Sequence, residues 1–552
     1  MWDIARHAIN NQILKTMKNI LLITVVLAIG GTGAFAQNAL VWSKDFGASL
    51  PRYYQNLPTL HAGEDSIGVT GKKMTPQGER LCVVHYDYAG NVLSSKTYGD
   101  DGIQNGTITD YKFSADGYLY MAYKEKLGFY KSKIVLQKYA LDGTPVWIRQ
   151  IAETADTSYA PVALGLINDS TVFMTALREH SYPQEGDDVI RTVTQNFIYS
   201  YHADGTPLRK RALDHVTEIN TFMYGIFPYN GTALLFGTNH ANPQNYEICM
   251  LKVGTDGSVT VKNNIGVENG VGIVQTTQDN NLLVSSMGLY RVTKIDPDGN
   301  RIWSRLIPPN PVGTGGDEIR SMLQDEDGNI YVTGRYYSAG LNTPAFTNAD
   351  ILTVKFDASG NTVWQSRYLY GQDNADIGNC LALKNGKLYV GGESQRLNQQ
   401  SDVDYVVLKL NASTGQPDAE YRYNDPHNGD DAVSALHVTD NGRIVLTGLT
   451  YASPSSYDWT TQLLSNTLTL EEPQQTGFKT YPNPVSSGAT VTVEGPGLTY
   501  YSLISPTGQV IRTRNLSSAE IHAIPLENLP AGLYFLELHG NGTSATKKIW
   551  VK

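Results

Sequence analysis

The octapeptide Asp327-Gly328-Asn329-Ile330-Tyr331-Val332-Thr333-Gly334 decides the fold, because it is a tight-turn signal running into an alternating strand. It recurs as Asn385-Gly386-Lys387-Leu388-Tyr389-Val390-Gly391-Gly392 and as Asn441-Gly442-Arg443-Ile444-Val445-Leu446-Thr447-Gly448. The closing glycines are 58 and then 56 residues apart. Asn-Gly and Asp-Gly supply the positive φ of a two-residue hairpin. Weaker copies turn at Glu64-Asp65, Asp116-Gly117, Asp169-Ser170, Asn230-Gly231 and Asn280-Asn281, which makes eight turns of this kind.

Between these turns lies a second strand–turn–strand unit. Its clear copies are Ile351–Trp364 and Arg291–Trp303, with others turning at Gly90, Gly143, Gly205, Gly257 and Gly415. Trp147, Trp303 and Trp364 each stand four residues after the turn glycine. Lys138, Lys252, Lys294, Lys355 and Lys409 form a second column before it, expected to be solvent-face residues whose stems cover neighbouring rings. Each full repeat is therefore four antiparallel strands in 40–60 residues, the period of a propeller blade, and no such blade buries both faces alone. The first kind of turn occurs eight times and the second seven. Ala39–Lys44 resembles an orphan fourth strand with Trp42 in the tryptophan column, so the N-terminal strand is expected to complete the last blade. The fold class is all-β: a β-propeller of eight blades, or seven if the early repeats merge, followed by a small C-terminal Ig-like β-sandwich.

Composition agrees. The 552 residues carry 52 Gly and 34 Tyr, and only 17% are charged, against about 25% in ordinary soluble domains. A net charge of −10 argues against nucleic acid or an anionic lipid surface as partner.

The segment from Asp327 through Phe356 to Trp364 is similar to the SBBP-type β-propeller repeats of secreted bacterial proteins. The match is good over 317–465 and weak over 40–270. It implies a fold and no activity.

Composition changes after Leu470. Tyr481-Pro482-Asn483-Pro484-Val485, Leu503–Val510, Leu529–Leu538 and the final Lys547–Lys552 are alternating strands set off by Pro and Gly turns. The segment resembles the type A C-terminal sorting domain of type IX secretion cargo in Bacteroidetes. The resemblance implies the secretion machinery as partner and Tyr481, Pro482, Asn483, Pro484, Gly532, Tyr534, Lys548 and Lys552 as sorting residues. It also implies passage through the periplasm to a secreted or cell-surface location.

The N-terminus fits that route. Lys18, the apolar run Ile20–Ile29 and Ala34-Phe35-Ala36 make a signal peptide cleaved between Ala36 and Gln37. Met17 reads as a more natural start, which makes Met1–Thr16 an upstream extension. The expected division is a leader over 1–36 (signal peptide 17–36), a propeller over 38–466, a linker over 467–477 and a sorting domain over 478–552. No other apolar run reaches membrane length.

No chemistry-bearing motif emerges. The histidines are scattered, and no nucleophile elbow or phosphate loop occurs. Asp296–Asn300 and Asp325–Asn329 resemble the opening of a calcium loop, but Ile307 and Tyr336 stand where its closing Glu belongs. They read as turns. Cys82, Cys249 and Cys380 read as buried free thiols, with one pair still able to bridge. No catalytic residue, cofactor or metal is assigned. Two function classes remain: a glycan- or protein-binding propeller, which is favoured, and a polysaccharide lyase or glycoside hydrolase with its site in the funnel. Long Asn-rich and aromatic loops such as Tyr336–Asn348 and Gln395–Asp402 are the expected binding segments.

Overall fold

Turn chemistry sets up the Asn-Gly and Asp-Gly hairpins in two forms. Asn385 and Gly386 both take positive φ (50° and 69°), and Lys384 pairs directly with Lys387, as in a two-residue type I′ hairpin. At Asp325–Asn329 the loop is longer. Only Gly328 is left-handed (φ 82°), and the Asp325 carboxylate accepts the N–H groups of Asp327 and Asn329. The Asp296 and Asp357 turns repeat this arrangement. The side-chain acceptor thus diverts an Asp-Gly signal from the expected two-residue hairpin into a wider turn ending in a bulge. The same hydrogen bonds occupy the apparent calcium-loop carboxylates.

The computed structural model describes residues 24–28, 40–50, 57–63, 65–99, 106–128, 131–151, 157–167, 169–183, 190–213, 222–239, 247–262, 264–267, 270–307, 316–337, 349–370, 375–395, 403–453, 456–465, 479–486, 488–494, 498–505, 510–516, 521–527, 529–530, 532–540 and 543–552. The chain divides into two units between Leu468 and Thr469.

In the first unit, pairing among the described strands gives eight four-stranded antiparallel meanders. We number them 1 to 8 by their first strands: Thr59–Ala62, Gly106–Phe113, Thr157–Ile167, Phe222–Tyr229, Val271–Thr276, Glu318–Gln324, Asp376–Lys384 and Ala432–Val438. Single-residue bridges, Gly78 to Gly106 and Ser132 to Ser158, join meanders 1 to 2 and 2 to 3. Meander 8 lacks a fourth strand of its own, and Leu40–Leu50 supplies it, antiparallel to Ser456–Leu464. From meander 2 onward each first strand lies against the next, and that of meander 8 lies against that of meander 1. The first strands are therefore innermost, and the ring is a closed β-propeller.

The core lies between meanders rather than within them. One cluster joins Val445, Trp459 and Leu463 of meander 8 to Ile67, Val69 and Val84 of meander 1. The tryptophan column is part of this packing. Trp147, Trp303 and Trp364 press on Gly205, Gly360 and Gly415 in the next meander's turn, and Trp42 presses on Gly90 across the closure. A side chain on any of these glycines would start within 3.0 Å of the indole. Trp42, Trp147 and Trp364 also donate their indole N–H to a carbonyl in that meander, at 3.2, 3.0 and 3.1 Å.

The lysine column departs from the solvent-face reading at two of its five positions. Lys138 and Lys294 are buried. Lys138 lies 3.8 Å from the centre of the Tyr118 ring and donates to Ala203 in the next meander, and Lys294 is paired with Asp279. These lysines tie turns and meanders together.

Thr24–Ala28, inside the segment read as the signal core, runs parallel along Thr362–Leu369. No helix among the described residues is long and apolar enough to cross a membrane.

The second unit has a three-stranded sheet (Lys479–Tyr481, Thr490–Glu494, Ile521–Pro525) and a four-stranded one (Val510–Asn515, Leu498–Ile504, Gly532–Gly540, Thr543–Val551). Val491, Val493, Tyr501, Leu503, Leu536 and Ile549 belong to one core cluster between them.

Candidate functional site at the loop-bearing rim

The tight turns lie at one end of the ring. The connections between second and third strands, and those between meanders, lie at the other. At that second end the first strands of meanders 6, 7 and 8 each carry a β-bulge, at Arg320, Asn379 and Ser434. The bulge explains the closing glycines of the repeat. A Cβ on Gly334, Gly392 or Gly448 would lie 1.9, 2.0 or 2.1 Å from the carbonyl oxygen of Glu318, Ile377 or Ala432. At these three positions a side chain would collide with the backbone of the bulged strand.

The bulged residues reach from meander to meander. Arg320 donates to Asn379 Oδ1 at 2.8 Å, Asn379 to the Val433 carbonyl at 3.0 Å, and Ser434 to the Pro58 carbonyl at 2.6 Å. Around this belt sits a charged constellation. Glu318 Oε2 accepts from Arg320 Nε at 3.1 Å and lies 3.5 Å from Arg335 Nη2. Glu393 lies 3.7 Å from Arg320. Desolvation raises the Glu393 pKa, Asp430 adds to the rise, and Arg320 and Arg335 oppose it. Its side chain still keeps 18% of its surface, so the group is crowded and yet reachable.

Asp430 accepts the Tyr457 hydroxyl at 3.2 Å. It belongs to the connection Asn424–Asp431, which also holds an oriented histidine. His427 Nδ1 lies 2.5 Å from buried Asp425, while 62% of the His427 side chain is exposed. A carboxylate on one ring nitrogen leaves the other free for proton transfer or ligand contact.

Asp317, Asp376 and Asp431 stand at the start of the same three strands and accept backbone N–H groups from Tyr337, Tyr370 and Asp425. Burial pushes Asp376 up to about 7, with Arg422 opposing, and Asp431 up to about 8. These two hold protons in the fold that an unfolded aspartate releases near its ordinary 3.8. Their contribution is therefore present in acid and lost as pH rises through 7 to 8. The turn aspartates Asp142 and Asp204 act oppositely, since hydrogen bonds from Thr144 and Thr206 lower them and acid removes that benefit. The urea midpoint should be higher at pH 5 than at pH 8.5 by the equivalent of about 1 kcal/mol or more. Asp376→Asn with Asp431→Asn should flatten that slope, and an unchanged slope would place the protons elsewhere.

No grouping of His, Cys, Asp and Glu among the described residues could hold a metal ion. Cys82, Cys249 and Cys380 form no disulfide. Cys82 and Cys249 are buried, whereas Cys380 on an innermost strand is only partly covered. Burial pushes the Cys249 thiol to about 11 and Cys380 to about 12.

In the second unit several of the residues expected to serve sorting lie on adjoining strands. Gly532 pairs with Val551, Tyr534 with Ile549, and Phe535 with Lys548. Tyr481 ends the first strand, and the next residues cross to the last one. Asn483 Oδ1 accepts the Trp550 N–H at 2.9 Å, Val485 donates to the Trp550 carbonyl at 2.8 Å, and Lys552 donates to the Val485 carbonyl at 2.9 Å. Buried Tyr534 donates to the Pro530 carbonyl at 2.9 Å. Pro482 and Pro484 follow cis bonds and are exposed. The cleavage pair Ala36 and Gln37, and the loops 338–348 and 396–402, lie outside the described residues.

Residues 479–552 match the family described as the secretion system C-terminal sorting domain. The second unit is a type IX sorting domain. A sorting domain of this kind directs its carrier to the cell surface or the extracellular space, and it implies the secretion machinery as a partner. No curated protein matches the chain. Among solved structures, a dihydro-heme d1 dehydrogenase is 11% identical and covers 90% of this chain and 83% of its own, with a TM-score of 0.41. A streptogramin B lyase is 12% identical over 63% of this chain and 94% of its own, at 0.37. A polysaccharide lyase is 10% identical over 74% and 89%, at 0.35. Likeness of this degree carries nothing about ligand or chemistry. The propeller assignment rests on strand pairing, and the sorting domain decides where the propeller works.

Proposed function

We propose that the chain is an extracellular binding module. In this reading an eight-bladed propeller over 38–466 holds a glycan or protein at the rim of meanders 6 to 8, and the sorting domain over 478–552 delivers it. The leader over 1–36 is removed between Ala36 and Gln37, and 467–477 is the tether. The constellation of Glu318, Arg320, Arg335, Asn379 and Glu393 carries the reading. It offers carboxylate, guanidinium and amide groups at a partly open rim of a rigid ring, the chemistry that hydrogen-bonds hydroxyl-rich ligands.

A second reading has its own observation. Glu393 is a carboxyl of raised pKa beside Asp430, which bears Tyr457, and His427 is oriented on the same connection. Such a set is able to serve a lyase or hydrolase. A glycan array run beside depolymerisation assays on the full chain separates the two. Binding without new reducing or unsaturated ends is expected, and turnover of any polysaccharide would replace the first reading with the second.

A further inference from the structure

We propose that Trp550, presented by the last strand, is the anchor by which a protein receptor of the secretion machinery grips the sorting domain. The proposal rests on the sorting assignment and refines it.

Of the six described tryptophans, five are buried or partly covered, and Trp550 alone is exposed, at 53%. Its strand explains the direction. Ile549 and Val551 point into the core, so Trp550 stands on the outer face of the four-stranded sheet. Register puts Phe535 and Ile504 on that same face, both only partly covered. An exposed indole beside partly covered aromatic and aliphatic side chains matches an apolar pocket on a protein.

The backbone of Trp550 is held from both sides. Leu533 pairs with it across the sheet, while Asn483 and Val485 bond its N–H and carbonyl on the other edge. Tyr481, Ile511 and Ile521 are also exposed in this unit, but the bonds between the Tyr-Pro-Asn-Pro-Val block and the last strand fall on Trp550 and Lys552, of which Trp550 is the apolar one. The block thereby acts as a brace, and the residue it braces is the contact. A rigidly presented indole loses little entropy on docking.

The test is export of the full chain from a host with a working type IX system. Trp550→Ala should lower the extracellular fraction at least tenfold with accumulation in the periplasm. Trp550→Phe should restore most of it, and Ile521→Ala should export normally. The melting temperature of purified Trp550→Ala should match the parent. Should it fall, Trp550→Gln, which keeps the stem over the sheet, takes its place in the same comparison. Normal export of Trp550→Ala, or an equal loss in Ile521→Ala, would overturn the proposal. Deleting 479–552 should abolish export altogether. If the deleted chain is still exported, the sorting assignment fails first, and neither result touches the ligand reading.

Discussion

Gly392→Ala should be among the most damaging single-methyl changes in the propeller. The new Cβ would lie 2.0 Å from the Ile377 carbonyl oxygen, which is backbone on a bulged strand. That strand is flanked by meander 6 on one side and meander 8 on the other. Relief requires undoing the bulge, and with it the bond from Arg320 to Asn379. Overpacking against backbone costs about 3 kcal/mol or more. Gly386→Ala is the matched control. Nothing lies within 4 Å of a Cβ there, and its φ of 69° is the sole penalty, which is worth about 1–2 kcal/mol. Urea midpoints of the two variants should differ accordingly, with a lower yield of soluble Gly392→Ala. If Gly392→Ala unfolds no earlier than Gly386→Ala, the bulge is not the reason for the glycine.

Removing Leu40–Leu50 should open the ring. The strand buries Ala48 and Leu50, rests Phe46 on Trp459 at 4.4 Å between ring centres, and presses Trp42 on Gly90 of meander 1. Asp45 accepts the Thr460 hydroxyl at 2.6 Å, and Asp458 accepts the Ala48 N–H at 2.8 Å. Loss of these apolar contacts is worth about 5 kcal/mol, or about 10 °C at ~2 °C per kcal/mol. It also bares Ser456–Leu464 as an unpaired edge, so the truncated chain should associate with itself. A monomer with an unchanged melting midpoint would contradict closure.

Much of this fold was legible because repeats sample one geometry several times. Gly334, Gly392 and Gly448 recur at near-constant spacing, and a periodic glycine points to a backbone constraint. Its cause was not legible, because the bulge lies on the partner strand, whose Gly378 pairs with Gly392 from 14 residues upstream. Trp42 was legible as a closing strand because it continued the tryptophan column. The lysine column misled at Lys138 and Lys294: lysine on a third strand reads as solvent-facing, yet the next meander's turn supplies Lys138 with a carbonyl and Asp279 pairs with Lys294.

The rim was the least legible part. Glu318 and Arg320 share a strand, Arg335, Glu393 and Asp430 come from three other segments, and no spacing rule links the four. The one local hint is that Asp317-Glu318, Glu393 and Asp430 all border long connections. In the sorting domain the blocks were plain, but their shared target was not. Asn483 and Trp550 are 67 residues apart and meet only through the fold.

The most direct test of the account is binding by rim variants of the full chain. Arg320→Ala and Glu393→Gln should each weaken retention of whatever glycan or protein the parent binds by tenfold or more. Asp142→Ala, on the tight-turn end of the ring, should bind like the parent. Parental binding by both rim variants, or an equal loss in Asp142→Ala, would contradict a ligand site at meanders 6 to 8.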